Sequence, residues 1–453
     1  MTQQQLQHLY WRAGFGMHPK SNTIISKQRT SVVEVLFESS KAFTPLHIDL
    51  SYLDGIKPVD LKSFPELARE INQKGTKKIL EFNIAWVKRL VNPSELLRER
   101  MTLFWANHFV CRERNPLYAE RYNNTLRYFA LGDFRDFVKA ISKEAAMLKY
   151  LNGKQNRKAK PNENFARELM ELFTLGEGQY SEKDIKECAR AFTGYSHDFE
   201  GDFVYKENRH DNNSKLFFNS IGNYDGDDII DIILKNKQCA AFISDKIYRH
   251  FVNPKPNKKH IAAMADVFFK DYNIENLMRF VFLSDWFYDD DNIGSKIKSP
   301  IEYLVGMANT VPVVFEKEKD LIKIQKLLGQ TLLNPPNVAG WKGDKAWIDA
   351  NTIMIRLKLP SVILNNSVID SGQNDQFKKK FMQKYKGKLP FKTLPNWTAF
   401  LENFETVATG DLQDYILQGT INKGTADYLK TLSKMSKREY CVQLMSLPEY
   451  QMC

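Results

Sequence analysis

The chain has 453 residues, 43% hydrophobic and 26% charged, an ordinary balance for a globular protein that excludes a disordered or fibrous one. At roughly 150 residues per domain it has room for one large domain with appendages, or up to three domains. Its formal charge of +11 favours acidic partners such as nucleic acid, an anionic glycan or a membrane surface. The excess is diffuse, however. Its densest runs, Lys154, Arg157, Lys158 and Lys160, then Lys378 to Lys380 with Lys384, Lys386 and Lys388, match no nucleic-acid-binding motif and read as solvated surface.

No stretch reaches the ~18 uninterrupted apolar residues of a membrane span; the best, 301–315, carries Glu302, Asn309 and Pro312. The opening MTQQQLQHLYWRAGFG has no basic region followed by an apolar one, so a cytoplasmic location is the default expectation. Five cysteines (Cys111, Cys188, Cys239, Cys441, Cys453) are odd in number and widely spaced, which argues against a disulfide framework or a zinc-thiolate site.

With 22 Gly and 17 Pro, breakers are scarce and long helices are favoured. Asn92-Pro93-Ser94-Glu95 reads as a helix start with Asn92 as N-cap. The helix after it, to about Val110, stacks Leu97, Met101, Phe104 and His108 on one face and points His108 at the core. A second helix is expected from about Pro161 (NENFARELMELFTLG), with Phe165, Leu169, Leu172 and Phe173 on one side, Glu163, Arg167 and Glu171 on the other and Glu168 at the border, ending at Gly176. Ser181 to Asp184 has the form of a capping box and opens a helix through Ile185, Cys188, Ala189 and Phe192 that closes at Gly194. Two helices joined this closely should pack antiparallel.

Residues 195–228 are rich in aromatics, Gly, Asn and Asp and read as a long loop with one short hairpin near Phe199 to Lys206. Helices resume near Ile229 and again from Lys259 to Leu283, and Asn334 to Trp341 is irregular because two prolines forbid a helix. Asn365 to Gln376 reads as a linker. The fold class expected is mainly α: a large multi-helix domain over 1–360 with irregular loops, then a linker and a C-terminal helical section over 361–453. A weak recurrence, FLSDWFY at 282–288 and LMSLPEYQ at 444–451, suggests two helix ends seated on the core and is too short for a repeat.

The motifs YWRAGFG, RERMTLFWANHFV, LRYFALGDFRDFVKAI, PNENFARELMELFTLGEGQYSEKDIKECARAFTGYS, RHD at 209–211, KIYRHFV, KSPIEYLVG and LLNPPNVAGWKGDKAWI together resemble the bacterial family catalogued as domain of unknown function 1800. The likeness runs from about Leu6 to Leu357, with a further match at SLPEYQ. Such a resemblance implies no assigned activity. It does imply export in many members, hence a periplasm or cell-envelope location, and a phosphatase- or sulfatase-like protein encoded nearby as a partner. Two departures stand out. Where the family commonly has a paired histidine, this chain has Trp105-Ala106-Asn107-His108-Phe109, which weakens a histidine metal site there; and the opening residues do not read as an export leader.

Four groups could carry chemistry. On the acidic helix, Glu163 or Glu168 could act as general base or metal ligand with Arg167 holding an anionic group; the plainer alternative is a set of surface ion pairs. His108 is either a hydrogen-bonded core residue or, if Glu168 or Glu171 packs beside it, an oriented base. In the long loop His210 or Asp211 could point inward as ligand or acid, or simply form a polar turn. Asn334 to Trp341, with Trp347 and Asn351, makes either a packed plug or a stacking platform for a sugar ring. Signature motifs for nucleotide, zinc-protease, serine-hydrolase and calcium sites are lacking.

These groups support two functional readings. One is an enzyme, hydrolytic or oxidative with a divalent metal as candidate cofactor, whose catalytic pocket is built from His108, Glu163, Glu168, His210 and Asp211, with Arg167, Asn334, Trp341 and Trp347 binding substrate. The other is a non-catalytic helical partner of the phosphatase- or sulfatase-like protein or of an anionic envelope polymer.

Overall fold

The computed structural model describes residues 1–17, 28–366, 391–432 and 434–453. The basic run 378–388 and all but the first two residues of the Asn365 to Gln376 stretch lie outside them. The described chain is mainly α-helical, with three two-stranded antiparallel sheets. The expected hairpin pairs Tyr195–His197 with Phe203–Tyr205, Ser196 opposite Val204. A second pairs Lys215–Phe217 with Ser220–Gly222, and a third joins Val313–Phe315 to Thr393–Pro395. No helix is long and apolar enough to cross a membrane among the described residues.

Local chemistry sets several boundaries differently from the sequence pattern. Asn92 is not an N-cap: it ends the 27-residue helix Pro65–Val91, and the next helix, Leu96–His108, begins after Glu95, whose buried carboxylate accepts from the Thr44 hydroxyl at 2.6 Å. The helical text after Ile229 is two helices, Gly226–Leu234 and Lys237–Phe251, because Asn236 caps the second by accepting from the Gln238 amide. Lys258–Asp271 and Ile274–Leu283 are likewise divided where Tyr272 turns left-handed (φ +52°) and Asn273 caps the second of the two. The Ser181–Asp184 capping box forms as expected.

Two hydrophobic cores meet along the Leu96–His108 helix. One gathers residues between Leu6 and Tyr288; the other joins Phe82 to Leu103, Ile301 to Leu364 and Phe391 to Tyr450, so the C-terminal helices share a core with the centre of the chain. Leu97, Met101, Phe104 and Trp105 face the first core and Leu103 the second. A helix wedged between two cores must bury its polar residues as well. Arg98 is therefore met by the carbonyls of Ser40, Lys41, Arg127 and Tyr128, and Glu99 takes a two-pronged ion pair from Arg127 at 2.6 and 3.3 Å.

The helix beginning at Asn164 is α only to Glu168; Leu169–Thr174 continues as a π-helix, with the Leu175 amide donating to Met170 five residues back. Its wider winding redirects the last carbonyls sideways, toward Leu96–His108 and Lys237–Phe251.

Candidate functional site

A cavity of about 430 Å3 lies where these elements converge. The Leu96–His108 helix contributes Phe104, Asn107 and His108; the Lys237–Phe251 helix contributes Lys246, Arg249 and His250 from one face, at spacings of three and one. Lys296 and Ser299 come from the segment leading into the helix Pro300–Thr310, and Trp341, Asp344 and Trp347 from the irregular stretch after the prolines.

His108 is 3% exposed, enclosed by Phe104, Trp105, Phe109 and Phe173. Its Nε2 lies 3.0 Å from the Phe173 carbonyl and its Nδ1 3.3 Å from Lys246 Nζ. A carbonyl can only accept, so the proton sits on Nε2, and Nδ1 is free to accept from the lysine. Burial, then the nearby Lys246 charge, pushes His108 well below the ordinary histidine value. Lys246 also donates to Leu172 O at 2.8 Å, and burial brings its own pKa down to about 8. Both carbonyls belong to the π-helix. This segment thus meets the cavity-lining His108 and Lys246 through backbone carbonyls, and of the two readings of His108 the hydrogen-bonded core residue is the one seen, with carbonyls and an amine beside it and neither Glu168 nor Glu171.

Behind the cavity lies a buried charged cluster. Glu302 closes a capping box with Ser299, its Oε2 accepting the Ser299 amide at 2.6 Å, while its Oε1 takes Lys296 Nζ at 2.6 Å and an ion pair from Arg100. Burial raises the Glu302 carboxyl, but Arg100 and Lys296 outweigh it and hold it well below the usual range. Arg12, fully buried nearby, donates Nη2 to Asn292 O and Ser295 Oγ, leaving Nε and Nη1 without a partner; Arg100 Nη1 and His250 Nε2 are unpartnered too. His250 is lowered well below its ordinary value by burial and then by the Lys296 and Arg100 charges.

The Asn334–Trp341 stretch is fixed by Asn107, whose Oδ1 accepts from the Trp341 amide at 2.8 Å and whose Nδ2 donates to Trp341 O at 3.1 Å. Gly340 has φ +77°, and a Cβ there would stand 2.3 Å from Asn107 Oδ1. Trp341 and Trp347 line the cavity; Asn334 is exposed and does not.

The other predicted residues fall elsewhere. Arg167 bridges Glu163 at 3.3 Å and Glu182 at 2.9 Å near the surface, and Glu168 is half-buried, its carboxyl raised by burial and then by Glu171. Neither Glu163 nor Glu168 lines the cavity. His210 and Asp211 do not line it either. His210 Nδ1 donates to Thr193 O at 2.8 Å, and Asp211 pairs with Arg190 at 2.8 Å and accepts from the Asn213 amide, so the pair fastens the loop onto the helix Glu182–Ala191. Lys215, 1% exposed, completes that fastening by donating to the Asp211 and Asn213 carbonyls. Among the described residues no group of three or more His, Cys, Asp or Glu side chains is placed to hold a metal ion.

Lys246, Arg249, His250 and Lys296 escaped the sequence reading. Their signal was present in KIYRHFV and KIKSPIE, where cations alternate with large apolar residues on a helix and stand directly before a capping box. Two other recesses are less suited to chemistry: a shallow groove along Pro65–Thr76, whose lining has Arg69 as its one charged group, and a surface cleft where Lys255 and Lys258 are balanced by Asp289 and Asp291.

The sequence model of the family described as protein of unknown function DUF1800 matches residues 8–452, and the chain belongs to that family. Comparison with curated proteins and with solved structures gives no match.

Proposed function

We propose that this DUF1800 protein is an enzyme that binds an anionic small molecule in the cavity beneath Trp341 and Trp347 and moves protons there through His108 and Lys246. The observation that carries this reading is the charge inventory. Lys246 and Lys296 at the cavity, with Arg12 and Arg100 behind it, face Glu302, Asp344 and the negative charge at Cys453, while Arg249 at the exposed rim is already paired with Asp245. Burying cations without full pairing costs several kcal/mol per ion, so an excess held this deep calls for an anion from outside. The unpartnered nitrogens of Arg12, Arg100 and His250 add to the argument, since buried donors are normally satisfied.

Chemistry at such a site needs a group that exchanges a proton near neutral pH. Lys246 meets this condition with its pKa near 8, and His108 Nδ1 is the adjacent acceptor. Glu163, Arg167, Glu168, His210 and Asp211 then serve to hold the surrounding loops, and Asn107 sets the tryptophan wall.

A second reading, the docking of one unit of an anionic polymer without chemistry, is favoured by the exposed Lys342 and Lys345, which carry positive charge outward beside the two tryptophans. Titration calorimetry with sulfate, phosphate and glucuronate tests the anion site common to both. One anion should bind per chain, and Arg249→Ala should weaken it about tenfold, roughly 1.4 kcal/mol. Absence of saturable binding, or affinity indifferent to Arg249, would overturn the proposal. Polymer docking would show instead as affinity that climbs with chain length and falls on replacing Lys342 and Lys345.

A further inference from the structure

The geometry around one amine reaches further than anion binding. Lys246 lines the cavity, yet every neighbour within hydrogen-bond reach is neutral: Leu172 O at 2.8 Å and His108 Nδ1 at 3.3 Å, with the Phe242 ring 4.6 Å from Nζ. Asp245, the adjacent carboxylate, is taken by Arg249 at 2.7 Å. A lysine serving only as a charge would be given a carboxylate, as Lys296 is given Glu302. Lys246 has instead two fixed acceptors, so a neutral amine there spends both hydrogens on them and keeps its lone pair for the cavity.

We propose that Lys246 is an amine nucleophile that condenses with the carbonyl carbon of an anionic aldehyde or ketone held in this cavity. The assignment rests on the anion-binding reading above, because Arg249 and Lys296 would orient the acidic group of the same molecule. In the forward step the Nζ lone pair forms a C–N bond, the carbonyl π pair moves to oxygen, and a proton passes from nitrogen to that oxygen to give a carbinolamine. The C–O bond then breaks, and the oxygen leaves as water with the second nitrogen proton. The sum is one amine plus one carbonyl giving one imine plus one water, with no other reactant. His108 Nδ1 lies where those protons leave and can carry each from nitrogen to oxygen. A desolvated lysine is a usual setting for such an amine, and burial, against the opposing pull of Asp245, brings Lys246 down to about 8 and leaves a neutral fraction near neutral pH.

Reductive trapping on the full chain tests this. The protein is treated with glyoxylate and cyanoborohydride, or with propanal as an uncharged probe, with and without sulfate, and modified lysines are located by peptide mass spectrometry. Lys246 should acquire one carboxymethyl group at least tenfold faster than the exposed Lys342 and Lys345. Its rate should rise with pH with a midpoint near 8, and sulfate should protect it. Labelling of Lys246 no faster than that of surface lysines by either aldehyde would overturn the amine assignment, and would do so even if sulfate binds. Fast labelling by propanal with no glyoxylate preference and no sulfate protection would uphold the amine and overturn the anion reading instead.

Discussion

At the scale of single residues, the cavity depends on exchanges between side chain and backbone more than on side-chain pairs. Asn107 is the clearest case, since one amide group satisfies both the N–H and the C=O of Trp341. The turn it holds can be made only by glycine: at φ +77° a side chain is strained, and a Cβ would collide with the same Asn107 oxygen. Gly340→Ala should therefore cost about 2–3 kcal/mol in denaturant unfolding, combining backbone strain with a broken buried bond. A loss under about 0.5 kcal/mol would show that the turn relaxes freely. His108 illustrates what sequence could and could not supply. Its burial followed from its place in line with Leu97, Met101 and Phe104, because helical spacing fixes a face. Its partners did not follow, because carbonyls carry no sequence signal.

Among elements, the decisive departure is the π-helix Leu169–Thr174. The sequence pattern put Phe165, Leu169, Leu172 and Phe173 on an inner face; three of them are buried and Leu172 is half-buried. It also left the acidic outer face open as either a functional face or a set of surface ion pairs. Periodicity describes a uniform helix, and one extra residue per hydrogen-bonded turn is enough to swing the Leu172 and Phe173 carbonyls onto Lys246 and His108 while Glu163 and Arg167 stay near the surface. The same limit explains the helices divided at Asn236 and Asn273: apolar spacing continues through a capped break, and only the Asn side chain marks it. Asp211 was legible as polar and unusual, but its claim by Arg190 depends on a packing between loop and helix that spacing alone does not encode.

Across the whole molecule, three histidines sit in low-dielectric surroundings that keep them neutral. His8, His108 and His250 are all lowered well below 6.5, chiefly by burial. The sign follows from linkage. Above pH 6.5 each is neutral whether folded or unfolded and contributes nothing to the pH dependence. Below it the unfolded chain takes up protons that the folded chain refuses, so stability falls as pH falls. Each histidine contributes up to ~1.4 kcal/mol per pH unit in that window. Unfolding free energy should begin to drop near pH 6.5, before carboxylates titrate; a flat profile from pH 7 down to 5 would contradict neutral burial. The mainly helical class was readable from scarce breakers and amphipathic spacing. The sharing of one core by residues 82–103, 301–364 and 391–450 was not, because contacts across such separations leave no local mark.

The buried cations Lys296, Arg12 and Arg100 beside Lys246 call for an anion in the cavity. A crystal of the full chain soaked in selenate, with anomalous data at the selenium edge, would locate that anion. A single strong peak is expected inside the cavity, within hydrogen-bond reach of Lys246 or Arg249 and lost in Arg249→Ala. Peaks confined to surface lysines, with the cavity empty at saturating selenate, would contradict an anion site there.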